Sequence, residues 1–214
     1  MPRSSITGSV CLRQHCSGSN TPTSASCRLL EGRNQWPFAR YNAGVDLKAL
    51  VRAVPDFPQP GILFRDITPL LGDVGAFSAI LDALTADARG RDPGAIVGIE
   101  SRGFLFGAPL ADRMKLPFVP VRKPGKLPAE RMSVEYSLEY GDSQLDINRD
   151  ALPPGTRAYI VDDLLATGGT ARATAKLVEM IGGVVAGLGF VIELEPLGGR
   201  GVLAPYSVSS LLVY

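Results

Sequence analysis

Two adjacent carboxylates, Asp162 and Asp163, are followed, after three intervening residues, by Thr167-Gly168-Gly169-Thr170. The acids close an apolar run, Tyr159–Val161, and Thr170 opens a segment of helical spacing to Ile181, with Ala173, Leu177, Met180 and Ile181 on one face. Strand, glycine-bearing loop and helix in that order build an anion site. Gly168 and Gly169 let the backbone turn tightly and turn several N–H groups toward one ligand. Thr167 and Thr170 add hydroxyl donors, and the helix start adds a favourable dipole. Ala166 to Thr170 can therefore cradle a phosphate without any lysine. The spacing is neither that of a Walker loop, which needs Gly-Lys-Thr, nor the Gly-x-Gly-x-x-Gly of a dinucleotide fold. Carboxylates accept hydrogen bonds from vicinal diols, so Asp162 and Asp163 suit the 2′- and 3′-hydroxyls of a ribose. A ribose whose 5′-phosphate sits in the next loop is a phosphoribosyl group. Two adjacent acids at a buried strand end are costly without partners, which weighs against a merely solvated turn.

Two further segments carry cations beside glycine. Gly98-Ile-Glu-Ser101-Arg102-Gly103 follows a strand and opens a helix, a place where an arginine meets an anion. Arg122, Lys123 and Lys126 surround Pro124-Gly125. Such clustered positive charge suits a pyrophosphate with Mg²⁺, although a basic turn of this kind can also be simply solvated.

The elements needed to hold these segments are legible. Asp73 to Arg89 places Phe77, Ile80, Leu81 and Leu84 on one helical face, with Asp73 as cap and Gly90 as stop. Ala95–Ile99, Phe118–Val121, Val184–Leu194 and Val208–Val213 read as strands, and Phe104 to Met114 as a helix that accommodates Pro109 better near its first turn than in its interior. Ser133–Tyr140 and Gln144–Ile147 flank Gly141-Asp142-Ser143 as a hairpin. Val54 to Pro69, rich in proline, reads as an extended strap. Alternating strands and helices predict an α/β domain, a mainly parallel central sheet flanked by helices, with a flexible β-hairpin loop and that N-terminal strap. Ligands of such sheets bind beyond the carboxyl ends of the strands.

Composition narrows the chemistry. The chain has 214 residues and a formal charge of +1. Residues 1–44 hold five Arg and one acid, leaving 17 basic against 20 acidic residues in 45–214. No basic excess is left in the body to follow a nucleic-acid backbone, and no apolar run approaches a membrane span. All three Cys (11, 16 and 27) and the single His15 precede residue 28. The body therefore has no Cys or His nucleophile or base and suits a reducing, cytoplasmic setting. Cys11, His15 and Cys16 match no standard zinc spacing. The segment 1–44 reads as a disordered tail or a start assigned too far upstream; its Arg- and Ser-rich composition also resembles an organelle transit peptide. The domain itself is expected to begin at Val45.

Asp162-Asp163, three residues, then Thr-Gly-Gly-Thr resembles the signature by which type I phosphoribosyltransferases bind phosphoribosyl pyrophosphate (PRPP). The segments around Arg102, Arg122 and Phe64 resemble those of the adenine phosphoribosyltransferases in particular, in order and spacing from about Val45 onward. The resemblance implies transfer of the phosphoribosyl group of PRPP to adenine with Mg²⁺, giving AMP and pyrophosphate, by a homodimer. It implies that Ser101, Arg102, Arg122, Lys123 and Lys126 face pyrophosphate, and that the Glu100–Ser101 peptide is cis. Backbone groups around Leu63 and Arg65 would read the adenine edge, Phe64 would stack on the ring, and Leu164 and Leu194 would line the slot. Mg²⁺ would be carried mainly by PRPP, not by protein ligands. Tyr136-Ser-Leu-Glu139-Tyr140-Gly resembles the family's catalytic loop and makes Glu139 the acid–base group, with nearby Glu135 able to substitute. The rivals are a phosphoribosyltransferase for another purine base and a PRPP-sensing regulator. For the regulator, residues 1–44 offer no nucleic-acid-binding pattern.

Overall fold

The computed structural model describes residues 46–138 and 141–214. The 1–44 segment, with Cys11, His15 and Cys16, and the domain-start residue Val45 lie outside the described residues, as does Glu139.

The chain enters through two short antiparallel strands, β1 (Arg52–Val54) and β2 (Phe64–Asp66), and one helical turn, α1 (Thr68–Gly72). The expected strap is thus a small paired ribbon whose connecting residues, 55 to 63, are mostly exposed. Helix α2 (Val74–Gly90) starts where Asp73 accepts a hydrogen bond from Ala76 N, a cap that stabilises a helix by about 1 kcal/mol. Its apolar face, with Ile80 and Leu84, is buried.

Five strands form one parallel sheet in the order β4 (Phe118–Val121), β3 (Ala95–Ile99), β7 (Arg157–Leu165), β8 (Val184–Glu193), β9 (Val208–Val213). Side chains alternate across it. Ala95, Val97, Ile99 and Ile160 join one apolar cluster with α4 (Gly169–Met180), while Ile96, Tyr159 and Val161 join another with α2 and α3 (Gly103–Met114). Both faces are covered, so the strands are nearly all apolar. After β3 the chain moves to β4 on one side; after β7 it moves to β8 and β9 on the other. The order reverses between β3 and β7, and the crevice at their carboxyl ends is the switch point where such sheets take ligands.

Four local readings change. Strand β7 does not end before the acids: Asp162 pairs with Phe190, and pairing continues to Leu165 with Glu193. The ladder extends because β8 is long enough to meet it, so the acids are held by the sheet itself. In the hairpin of β5 (Arg131–Leu138) and β6 (Gly141–Asn148), Leu138 pairs with Gly141, so Gly141, Asp142 and Ser143 belong to the strand and not to the turn. Met180 is 42% exposed, not on the buried face of α4 with Leu177. Pro109 sits inside α3, which continues through it to Met114.

Candidate active site

The switch point opens into a cavity of about 380 Å³. Its walls come from three chain crossings: Glu100, Ser101 and Arg102 after β3; Asp162 to Thr170 at the end of β7 and the start of α4; and Tyr136, Ser143 and Leu145 from the hairpin. Lys123 completes it from the turn after β4.

The loop from Ala166 is closed by Gly168, which caps α4 in the left-handed region at φ +84°. A side chain there would also lie 2.7 Å from the Gly199 carbonyl oxygen, so only glycine permits this turn. No lysine or arginine lies within Ala166–Thr170. An anion would be met by backbone N–H groups, the hydroxyls of Thr167 and Thr170, and the positive end of a twelve-residue helix. Thr170 Oγ1 donates to Tyr136 Oη at 3.4 Å, which ties the hairpin to this loop.

Asp162 is half-buried and Asp163 buried. Asp162 Oδ1 accepts from Asp163 N at 2.9 Å. Burial, and then the charge of Asp163, pushes the Asp162 carboxyl well above the ordinary aspartate range. Burial also raises Asp163, with the Arg102 guanidinium opposing. Arg102 Nε lies 2.9 Å from Asp163 Oδ2. That contact lacks hydrogen-bond alignment, so the buried oxygen has no donor. That oxygen is paired with Arg102 by charge alone, while Asp162 and Asp163 both line the cavity, where a carboxylate can accept from a sugar hydroxyl. Gly103 allows the approach: a Cβ there would lie 2.8 Å from Asp162 Oδ1.

The cations are arranged unequally. Arg102 sits between the acids and the strap, with its guanidinium 5.4 Å from the Phe64 ring centroid. Arg122 is turned to Glu100, at 3.2 Å and 3.4 Å from its two carboxylate oxygens. Lys123 N donates to the same carboxylate at 2.9 Å. Burial alone would raise the Glu100 carboxyl, but these donors outweigh it and hold it below the usual range. The Glu100–Ser101 peptide is cis.

Of the residues expected from sequence, Ser101, Arg102, Lys123, Asp162, Asp163, Leu164 and Ala166 to Thr170 meet around this cavity. Leu63, Phe64, Arg65, Leu194, Arg122 and Lys126 do not line it. Leu63 and Lys126 are exposed. Phe64 meets Phe57 edge-on at 5.2 Å, and Arg65 and Leu194 lie by Tyr214. Glu100, Tyr136, Ser143 and Leu145 were not singled out as site residues. Glu100 lies inside the Gly98–Gly103 segment, where an acid among cations signals an anchor for them, whereas the hairpin residues carry no local signal because their role depends on where the hairpin folds. Among the described residues no group of three or more His, Cys, Asp or Glu is placed to hold a metal ion.

The class follows from fold and sequence together: the family model described as "Phosphoribosyl transferase domain" matches residues 71–195, which span the cavity's β3, β7 and α4 walls. An adenine phosphoribosyltransferase of Synechococcus is 56% identical over 170 residues, covering 79% of this chain and 99% of that protein. The crystal structure of adenine phosphoribosyltransferase from Thermoanaerobacter pseudethanolicus superposes with a TM-score of 0.77 at 53% identity, covering 78% of this chain and 98% of that one. The Saccharomyces cerevisiae enzyme, solved with an imino-altritol bisphosphate and adenine, gives 0.75 at 42% identity, covering 78% and 96%. The chain belongs to the adenine phosphoribosyltransferase family.

Proposed function

We propose that this protein transfers the phosphoribosyl group of PRPP to adenine at the switch-point cavity, releasing pyrophosphate and forming AMP for purine salvage. The observation that carries the assignment is the pair Asp162–Asp163 set against a lysine-free anion loop, in a chain whose relatives at 53–56% identity are adenine phosphoribosyltransferases. The yeast relative's complex with adenine and a bisphosphate supports the same pair of ligands.

In this reading Ala166 to Thr170 hold the 5′-phosphate and the Asp pair accepts hydrogen bonds from the 2′- and 3′-hydroxyls. Ser101, Arg102 and Lys123 face the pyrophosphate, with Arg122 and Lys126 contributing charge from behind. Adenine lies between Phe64 on the strap and Leu164 and Leu194. N9 attacks C1′ with inversion, the C1′–oxygen bond breaks, and its electron pair leaves on pyrophosphate. Positive charge builds on the ribose at the transition state, so the chain acts chiefly by positioning and by fixed charge. Glu139 manages the proton that adenine must lose. Mg²⁺ fits as an ion carried by PRPP oxygens and water, since few free carboxylates face the cavity: Glu100 is occupied by Arg122 and Lys123, leaving Asp162 and Asp163 beside it. When bound, the ion neutralises charge on the leaving pyrophosphate. A homodimer and a cytoplasmic location belong to the same reading; sedimentation of the 22.7 kDa chain as a monomer, or its recovery in an organelle fraction, would remove them.

The test is incubation with PRPP, Mg²⁺ and, separately, adenine, hypoxanthine, guanine and xanthine. Pyrophosphate release with adenine, and AMP as product, is expected. Preference for another base would make this a different purine phosphoribosyltransferase; no release with any base would favour a PRPP sensor.

A further inference from the structure

Residues 64 and 65 are neighbours in β2, so their side chains leave opposite faces of the strand. Phe64 faces Arg102. Arg65 turns the other way and lays its guanidinium over the ring of Tyr214, 4.0 Å from the centroid. Lys48 Nζ approaches the same ring at 5.1 Å and donates to the Val213 carbonyl at 2.9 Å.

The backbone of Tyr214 is committed elsewhere. Its N–H donates to Glu193 O at 2.9 Å, and its carbonyl accepts from Glu195 N at 3.0 Å. Those two bonds bracket Leu194, whose own N–H donates to Leu165 O at 2.9 Å. Tyr214 therefore touches both walls proposed to hold adenine: through its ring the strap at Arg65, and through its main chain the end of β8 at Leu194. The Tyr214 hydroxyl is buried and has no hydrogen-bond partner. The ring, and not the phenol oxygen, makes the connection.

We infer that Tyr214 is a positioning residue for adenine, fixing the strap at the spacing from Leu194 that a purine ring requires. Lys48 also bonds the Val213 carbonyl, and Ile67 shares an apolar cluster with Ile192, while Arg102 joins the strap to Asp163 at the acid pair. An Arg–aromatic contact of this kind is a modest interaction, and its loss would let β2 drift without unfolding the sheet. The inference rests on the strap reading of adenine binding given above.

The experiment is steady-state kinetics on full-length Tyr214→Leu, Tyr214→Phe and Arg65→Gln, with Phe64→Ala as the control for the strap. Tyr214→Leu should raise KM for adenine about five- to tenfold, with kcat at saturating adenine and KM for PRPP within about twofold of the parent. Arg65→Gln should produce the same split, and the double variant should be no worse than either single one. Tyr214→Phe keeps the ring and loses no hydrogen bond, so it should behave as the parent. An unchanged adenine KM in Tyr214→Leu, while Phe64→Ala raises it, overturns the role of Tyr214 and leaves the strap reading standing. Equal losses in kcat and both KM values would mark Tyr214 as merely structural and also overturn it. If Phe64→Ala leaves adenine KM unchanged, the strap reading fails and this inference falls with it.

Discussion

At the scale of single residues, the site is built by placing groups where they are uncomfortable without a ligand. Burial drives Asp162 above the ordinary aspartate range, and the neighbouring Asp163 adds to it. A carboxyl raised on folding contributes stability that is complete below its unfolded pKa and is lost as pH rises through its folded value. At neutral pH the empty enzyme therefore carries the cost of this acid, a cost that the proposed ribose diol would offset. Asn at 162 keeps the oxygen that accepts from Asp163 N and carries no charge. Ligand-free Asp162→Asn should melt higher than the parent at about pH 7.5. The gain should shrink toward zero as pH falls below the unfolded aspartate value of about 3.9, where the parent carboxyl becomes protonated in both states. Thermal melts across that range check it; identical melting temperatures at the upper pH would contradict the assigned cost. Asp162, Asp163 and the Thr-Gly-Gly-Thr loop were legible from sequence because their chemistry is local and contiguous. The Arg122–Glu100 pairing was not, because it depends on β3 and β4 lying side by side, 22 residues apart in the chain.

At the scale of elements, the hairpin is the part whose placement sequence reads least well. Alternation in Ser133–Tyr140 announced a strand, and the Gly-Asp pair at 141–142 looked like the turn, yet both residues are in the β6 ladder. Turn-forming residues mark where a chain can reverse, but register decides where it does. The hairpin is anchored at its base by reciprocal backbone bonds between Arg122 and Asp146, 2.9 Å and 2.7 Å. It is fastened again where Tyr136 meets Thr170 at the start of α4. Glu139 follows Tyr136 by three residues in the sequence, and its proposed part in proton handling rests on the family resemblance of the Tyr136–Gly141 segment. Glu139→Gln should lower the single-turnover rate by about 10²–10⁴ with a smaller effect on PRPP binding. Single turnover matters because loop motion or product release can limit the steady state and hide the loss. A chemical step within about threefold of the parent would exclude Glu139 and turn attention to Glu135. Helices α2, α3 and α4 and the strands of the parallel sheet, by contrast, were placed to within a residue or a few, since they have a strong period and punctuation such as Asp73 and Gly90, whereas the short turn α1 was read as part of the strap.

At the scale of the whole molecule, sheet order does what no single motif can. It brings the ends of β3 and β7 together, and with them the acids, the anion loop and Arg102. The parallel sheet was expected from the alternation of elements, but the reversal between β3 and β7 was not, because strand order leaves no mark in the sequence of any one strand. A stretch of 170 residues of the chain accounts for 99% of the Synechococcus relative. We propose that residues 1–44 are dispensable for catalysis. A chain beginning at Val45 should unfold cooperatively and keep kcat/KM for adenine within about twofold. Insoluble or inactive protein from that start would contradict it. No helix among the described residues is long and apolar enough to cross a membrane.

The central claim is that the switch-point cavity holds the phosphoribosyl group through its acid pair, and calorimetric titration of Asp163→Ala with PRPP and Mg²⁺ tests it most directly. Asp163 lines the cavity, and its carboxylate is the one proposed to accept from a ribose hydroxyl. A charge-assisted hydrogen bond in such a site contributes about 1.5–3 kcal/mol. The account predicts PRPP affinity weaker by about ten- to a hundredfold, with a cooperative melt showing that the fold survives. Parent-like affinity in a folded Asp163→Ala protein would contradict it.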